Sequence, residues 1–248
     1  MFLRLLLLFM LLCCRAYSEE FHAENPTSRV WKFNGMLGSF DKRSIQRGYQ
    51  VYKEVCSACH SMKRIAFRNL QEIGFSEEEV KSIASSYQIK DGPNEVGEMF
   101  ERSGVPSDYF PAPFPNKEAA MASNNGAYPT DLSLIIKARH NGANYVYSLL
   151  TGYKSTKPDV NGLYENVYFV TGKISMPPSL FDNVVRYTDG TESTVSNMAH
   201  DVVNFLQWAA EPEMEIRKKL GLKVILCLII ITIFIVLINK KLWSKLYK

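Results

Sequence analysis

Apolar residues fall along this chain in three regimes: an unbroken run near the N-terminus, a second near the C-terminus, and patterned positions between them. In the patterned middle, Ile45, Gly48, Tyr49 and Tyr52 share one helical face, which predicts a helix over Asp41–Val55. Ser76-x-x-Glu79 is a capping box and predicts a helix running to about Tyr87, with Glu77-Glu78-Glu79 suited to its positive end. Leu132, Ile135 and Ile136 recur at helical spacing and predict a helix over Asp131–His140, followed by another over Asn144–Tyr153. Ser196 reads as the cap of a helix through Ala210 that turns Met198, Val202, Phe205, Leu206 and Ala209 inward. Pro212 fits the first turn of the next helix or its approach. Two stretches break the periodicity. Residues 91–125 are rich in Gly, Pro and Asn and include Phe110-Pro111-Ala112-Pro113-Phe114-Pro115, which fits an ordered loop carrying aromatics. Residues 154–193 read as loop and turn with a short hairpin. The predicted fold class is all-α with long loop insertions.

The two apolar runs predict targeting and anchoring. Arg4, the stretch Leu5–Cys14 and the close on Ala16-Tyr17-Ser18 have the plan of a secretory signal, cleaved after Ser18. Leu222–Ile238 is interrupted only by Lys223 and Thr232, and Lys240, Lys241, Trp243, Lys245 and Lys248 follow. That length crosses a hydrocarbon core of roughly 30 Å, with Lys223 snorkelling at one interface and Trp243 at the other. The expected organisation is a signal at 1–18, an exported domain at 19–219, a transmembrane anchor at 220–241 and a cytoplasmic tail at 242–248. The signal orients the anchor, since basic residues flank it on both sides. Its shortness points to a bacterial plasma membrane, with the exported domain periplasmic. The formal net charge of +4 belongs to the ends: residues 19–216 hold 19 Lys+Arg against 25 Asp+Glu. An acidic exported domain favours a basic protein partner and argues against nucleic acid.

Cysteine usage narrows the chemistry. Of five cysteines, Cys13 and Cys14 lie in the signal and Cys227 in the anchor, so the exported domain keeps only Cys56 and Cys59, with His60 next. One close pair is no disulfide framework, and structural zinc needs four ligands. A thioredoxin-type pair needs a βαβ setting that the pattern does not supply. Cys-x-x-Cys-His is the haem c attachment pattern. Two thiols at that spacing reach two vinyl groups on neighbouring edges of the porphyrin, and the next residue brings its imidazole under the iron. The exported domain is thus expected to be a cytochrome c-like domain carrying one haem c through Cys56 and Cys59.

His60 leaves a sixth iron position to fill. Candidates are His22, His140, His200 and several methionines, among which Met176 stands out in the rigid Ile174-Ser175-Met176-Pro177-Pro178 stretch. A thioether there would raise the reduction potential relative to a second histidine. Met176 and His140 remain the leading choices on this ground, each with the ordinary alternative of a packed or exposed side chain.

From Trp31 to Lys223 the chain resembles cytochrome c1, the haem subunit of the cytochrome bc1 (ubiquinol–cytochrome c reductase) complex. The likeness is carried by Gly48-Tyr49-Gln50-Val51-Tyr52 before Cys56-Ser57-Ala58-Cys59-His60-Ser61-Met62, then Asn124-Asn125-Gly126-Ala127, Asp131-Leu132-Ser133 and Ala138-Arg139-His140. It continues through Tyr145-Val146-Tyr147-Ser148-Leu149-Leu150-Thr151-Gly152-Tyr153 and Trp208-Ala209-Ala210-Glu211-Pro212. The resemblance implies Met176 as the sixth ligand, Arg139 beside a haem propionate, and Asn124, Pro129 and Tyr145 in the pocket wall. It implies an electron taken from a Rieske iron–sulfur protein and handed to a soluble or tethered cytochrome c, beside a cytochrome b subunit in the lipid bilayer. It implies no enzyme on its own. Two departures touch the pocket wall: Thr130 stands where a second proline usually precedes Asp131, and Ser179 ends the proline run after Met176.

Overall fold

A computed structural model describes residues 22–246. The expected signal at 1–18 lies outside the described residues, as do Lys248 and its neighbour at the very end. Helix α1 spans Lys42–Glu54, capped by Asp41, whose carboxylate accepts from the Ser44 amide. Helix α2 spans Glu77–Ser85 and carries the expected reciprocal cap between Ser76 and Glu79. Helices α3 (Lys117–Ser123), α4 (Gly142–Thr151) and α5 (Val195–Ala210) follow, and α6 (Met214–Leu246) runs to the end of the described residues. Thr194, not Ser196, caps α5, its hydroxyl accepting from the Asn197 amide. Pro212 lies in the approach to α6.

Helix dominates, but the all-α reading holds only in part. Strands β1 (Gln88–Asp91) and β2 (Phe100–Ser103) pair antiparallel, Gln88 opposite Ser103, and β3 (Tyr164–Glu165) pairs with β4 (Lys173–Ile174). The second pair is the expected hairpin. Strand β2 lies inside the stretch read as loop, as does α3, while β1 ends at its first residue, Asp91. A further correction concerns residues 131–140, which form consecutive turns rather than a helix. Backbone bonds there reach mostly three residues back, the Ile135 amide to the Leu132 carbonyl and the Lys137 amide to that of Leu134, which makes turns rather than a continued α-helix.

The core is built where α1 crosses α5, the most extensive contact between helices. Gly48 makes it: a Cβ there would stand 2.0 Å from the Asp201 carbonyl oxygen and 2.8 Å from Phe205 Cβ. The helices therefore touch backbone to backbone, and all of 201–210 is buried. Burial on every side forces α5's polar groups to find partners. The Asp201 carboxylate accepts from Ser44 Oγ at 2.6 Å and from Arg47 at 2.7 and 3.0 Å, and Asn204 donates to Ser44 Oγ at 3.0 Å. Around this seam Tyr49, Tyr52, Phe67, Phe110 and Phe205 pack ring on ring, with Phe110 4.8 Å from Phe67 and 6.0 Å from Tyr52. Phe110 comes from the proline-rich stretch, so that loop is pinned by its aromatic, as its composition suggested. His200 stacks on Trp31 at 5.1 Å, which accounts for it as a packing residue.

Among the described residues, one helix, α6, is long and apolar enough to cross a membrane. It contains the whole 220–241 stretch expected to span, and begins earlier, at Met214, inside the globular domain.

Candidate haem site

The attachment motif is shaped by the end of α1. The helix stops at Glu54, Cys56–Ala58 make one 3-10 turn, and the Cys59 and His60 amides both donate to the Cys56 carbonyl, at 3.2 and 2.9 Å. This turn puts both thiols and the imidazole on one short, fixed segment. The thiols form no disulfide; Cys56 is half-buried and Cys59 exposed. Burial, and then the neighbouring Cys59, push the Cys56 thiol up to about 12, so it stays protonated at neutral pH.

The decisive contact is at His60. Its Nδ1 lies 2.7 Å from the Thr130 carbonyl oxygen. A carbonyl can only accept, so Nδ1 carries the proton and the Nε2 lone pair is left for a metal. Burial lowers the imidazole pKa, while the Thr130 carbonyl and Asp131 act the other way, and the net effect favours the neutral ligand form. The carbonyl is brought there by a zipper between two segments distant in sequence. Asp131 accepts from Ser61 Oγ (2.8 Å) and the Lys63 amide (3.0 Å), and the Leu132 amide donates to the Ser61 carbonyl (2.9 Å). Asp131 is itself pulled below the usual carboxylate range: burial opposes this, but the hydrogen bonds from Ser133, Lys63 and Ser61 outweigh it. In the sequence Thr130 stands out only as a departure from the family and Asp131 only as part of a family motif; their place beside His60 comes from the fold. The Asp131-x-Ser133 turn was a visible local signal, but its pairing with Ser61 and Lys63 was not.

The remaining expected residues are placed as follows. Pro129 and Cys59 line one shallow depression with Phe114, Pro115, Ala120 and Tyr128. Asn124 ends α3 and spends its amide on the Ala120 carbonyl at 2.7 Å. Arg139 is exposed on the turns that lead from Thr130 to α4, near enough to half-buried Tyr145 that its charge opposes the upward push of burial on that phenol. Met176 is half-buried on the loop after β4, and its carbonyl accepts from Tyr153 Oη at 3.0 Å. His140 is exposed beside Arg139.

Residues 31–246 match the Cytochrome C1 family. The chain belongs to that family. It is 48% identical to a mitochondrial cytochrome c1 heme protein of Solanum tuberosum (cytochrome c1-2), over 92% of this chain and 89% of that one. It is 46% identical to cytochrome c1 of Rhodospirillum rubrum over 86% of this chain and 85% of that one. It is 45% identical to the mitochondrial cytochrome b-c1 complex catalytic subunit of Candida albicans over 91% and 80%. Read as a cytochrome c1 site, the geometry fits its prosthetic group. Two unbridged thiols two residues apart suit thioether attachment of one haem c through Cys56 and Cys59, and a neutral imidazole with its outer nitrogen already committed suits an axial ligand.

Proposed function

We propose that this chain is a membrane-anchored monohaem electron carrier that takes an electron from a Rieske iron–sulfur protein and passes it to cytochrome c. It would do so within the ubiquinol–cytochrome c reductase complex of a respiratory chain, beside a cytochrome b subunit. The observation that carries the reading is the His60–Thr130 contact within a Cys-x-x-Cys-His turn, in a chain of the cytochrome c1 family. The haem supplies a one-electron ferric–ferrous couple when bound. His60 offers Nε2, and its donation to Thr130 fixes the ring and makes that nitrogen a stronger donor. Met176 offers a thioether, which raises the potential, and its backbone hangs on Tyr153. Arg139 is the counter-charge for a haem propionate, and Asn124, Pro129 and Tyr145 form the pocket wall. The chain makes and breaks no substrate bond of its own.

The leader pattern in residues 1–18 and the lysine-rich end of α6 support placement in a bacterial plasma membrane. The haem domain is then periplasmic and the C-terminus cytoplasmic, with residues 220–241 crossing and 242–248 as tail.

Absorption spectra of the haem-loaded protein with and without carbon monoxide test the reading, compared with Met176→Leu. The expected wild type is low-spin in both redox states and ignores carbon monoxide. The variant binds it and drops in potential by roughly 100 mV or more, as loss of a thioether ligand requires. Ready carbon monoxide binding by the wild type would replace this reading with an open-site haem enzyme or gas sensor.

A further inference from the structure

We infer that the turn Gly35-Met36-Leu37-Gly38 is a foot that rests in the membrane surface on the haem-domain side, with Met36 and Leu37 inserted among the lipid headgroups. The inference relies on α6 crossing a bilayer, as proposed above. Its first support is what the turn exposes. The Gly38 amide reaches back to the Gly35 carbonyl, so Met36 and Leu37 occupy the two corners, where polar residues usually stand. They are 66% and 82% exposed, so nothing in the fold covers them. The turn is also tightly specified. Gly35 has φ +74°, and a Cβ on Gly38 would lie 2.1 Å from the Asn34 carbonyl oxygen. A loop so closely built, ending in two bare apolar side chains, has an apolar or interfacial surrounding to match.

The second support is where the turn is fastened. The Phe40 amide donates to Glu215 Oε1 at 2.6 Å, in the first turn of α6. Two residues back along the chain, the Gly38 carbonyl accepts from Lys218 Nζ at 3.3 Å, and the Phe33 carbonyl accepts from the same ammonium at 2.6 Å. The turn is thus held against the first two turns of α6, by side chains three residues apart on that helix. Lys218 is four residues, about 6 Å, short of Leu222, where the apolar span opens. From Gly38, one or two residues at up to about 3.5 Å each are enough for Leu37 and Met36 to reach the level where that span opens. Leu220 and Leu222 on α6 are exposed too, so bare apolar groups stand on both the turn and the adjoining helix. Lys219 and Lys223 supply cations at the same height for lipid phosphates.

Depth measurement by spin labelling tests the foot. Leu37→Cys, Ile230→Cys and Val160→Cys are each made in full-length, haem-loaded protein carrying Cys13→Ser, Cys14→Ser and Cys227→Ser, with Cys56 and Cys59 held in their thioethers. The proteins are reconstituted into phosphatidylcholine–phosphatidylglycerol vesicles, and nitroxide accessibility to oxygen is compared with accessibility to a water-soluble nickel chelate. Ile230 lies in mid-span and Val160 on a remote exposed loop. The foot predicts an oxygen-to-nickel ratio at Leu37 several-fold above that at Val160 and below that at Ile230. A Leu37 ratio equal to that at Val160, with Ile230 deep, overturns the foot while leaving the anchor intact. Leu37 shielded from both reagents, with Ile230 deep, also overturns it and assigns the surface to a protein contact. An aqueous ratio at Ile230 fails the anchor itself.

Discussion

Thr130 acts at the haem site through its main chain, and that explains why a residue other than proline is tolerated there. Any residue supplies the carbonyl that His60 needs; what must be kept is the carbonyl's position, and Asp131 keeps it. Thr130→Ala is therefore expected to leave the spectrum and the midpoint of thermal unfolding nearly unchanged. Asp131→Ala strands the Ser61 hydroxyl and the Lys63 and Ser133 amides, at about 2–3 kcal/mol by thermal unfolding. A second carboxylate carries a pH dependence. Burial alone would raise the Asp201 pKa, but the His200 ring 3.7 Å away and hydrogen bonds from Arg47 and Ser44 bring it below the ordinary 3.8. A pKa depressed in the folded state adds stability above the unfolded-state value, and that stability is lost as pH falls through the folded one. Asp201→Asn should thus flatten the acid limb of a stability–pH profile below about pH 4. At neutral pH it should cost about 2–3 kcal/mol, at or below the ~3–5 kcal/mol of a fully buried pair. Arg47 is 21% exposed and keeps Asp189 as a second partner, which softens the loss. The attachment motif is legible in the sequence because its chemistry is local: Cys56, Cys59 and His60 fall within five residues. Pattern alone does not separate Met176 from His140, and the role of Thr130 and Asp131 beside His60 does not show in the sequence, because their partners lie about seventy residues away.

At the scale of elements, the helices that the sequence located, α1, α2, α4 and α5, each bury an apolar face; Asp41, Ser76 and Thr194 cap α1, α2 and α5 through their side chains, while Asn141 before α4 makes no such bond. Residues 131–140 have the apolar spacing without the helix: their backbone bonds reach mostly three residues back, and the left-handed Asn141, at φ +61°, separates them from α4. Helix α3 was hidden by its shortness and by the proline-rich stretch before it, although Asn116 caps it by accepting from the Ala119 amide at 2.8 Å. Strands β1 and β2 hold a single apolar residue each, Ile89 and Phe100, too few to set an alternating pattern in the sequence. The close crossing of α1 and α5 was foreseeable in kind from Gly48, but its tightness was not. Gly48→Ala must force the two backbones apart and is expected to cost about 3 kcal/mol or more, read as a lowered unfolding midpoint with the haem spectrum retained in the folded fraction.

Over the whole molecule, charge is divided between an acidic middle, 19 Lys+Arg against 25 Asp+Glu over residues 19–216, and basic ends. If a basic cytochrome is the acceptor, its association rate should fall by roughly threefold or more between about 10 and 150 mM ionic strength, measured by stopped flow. A rate indifferent to salt would place the docking face on uncharged surface. The junction between domain and anchor has a mechanical meaning. Helix α6 runs unbroken from Met214, and its first turns are bolted to the domain through buried Met214, Glu215 to the Phe40 amide, Arg217 to Glu211 at 2.8 Å and Lys218 to two loop carbonyls. No swivel separates the redox centre from the post that holds it. In the proposed electron-transfer role such a relay keeps a fixed address, and any change in gap length during turnover falls to its partners.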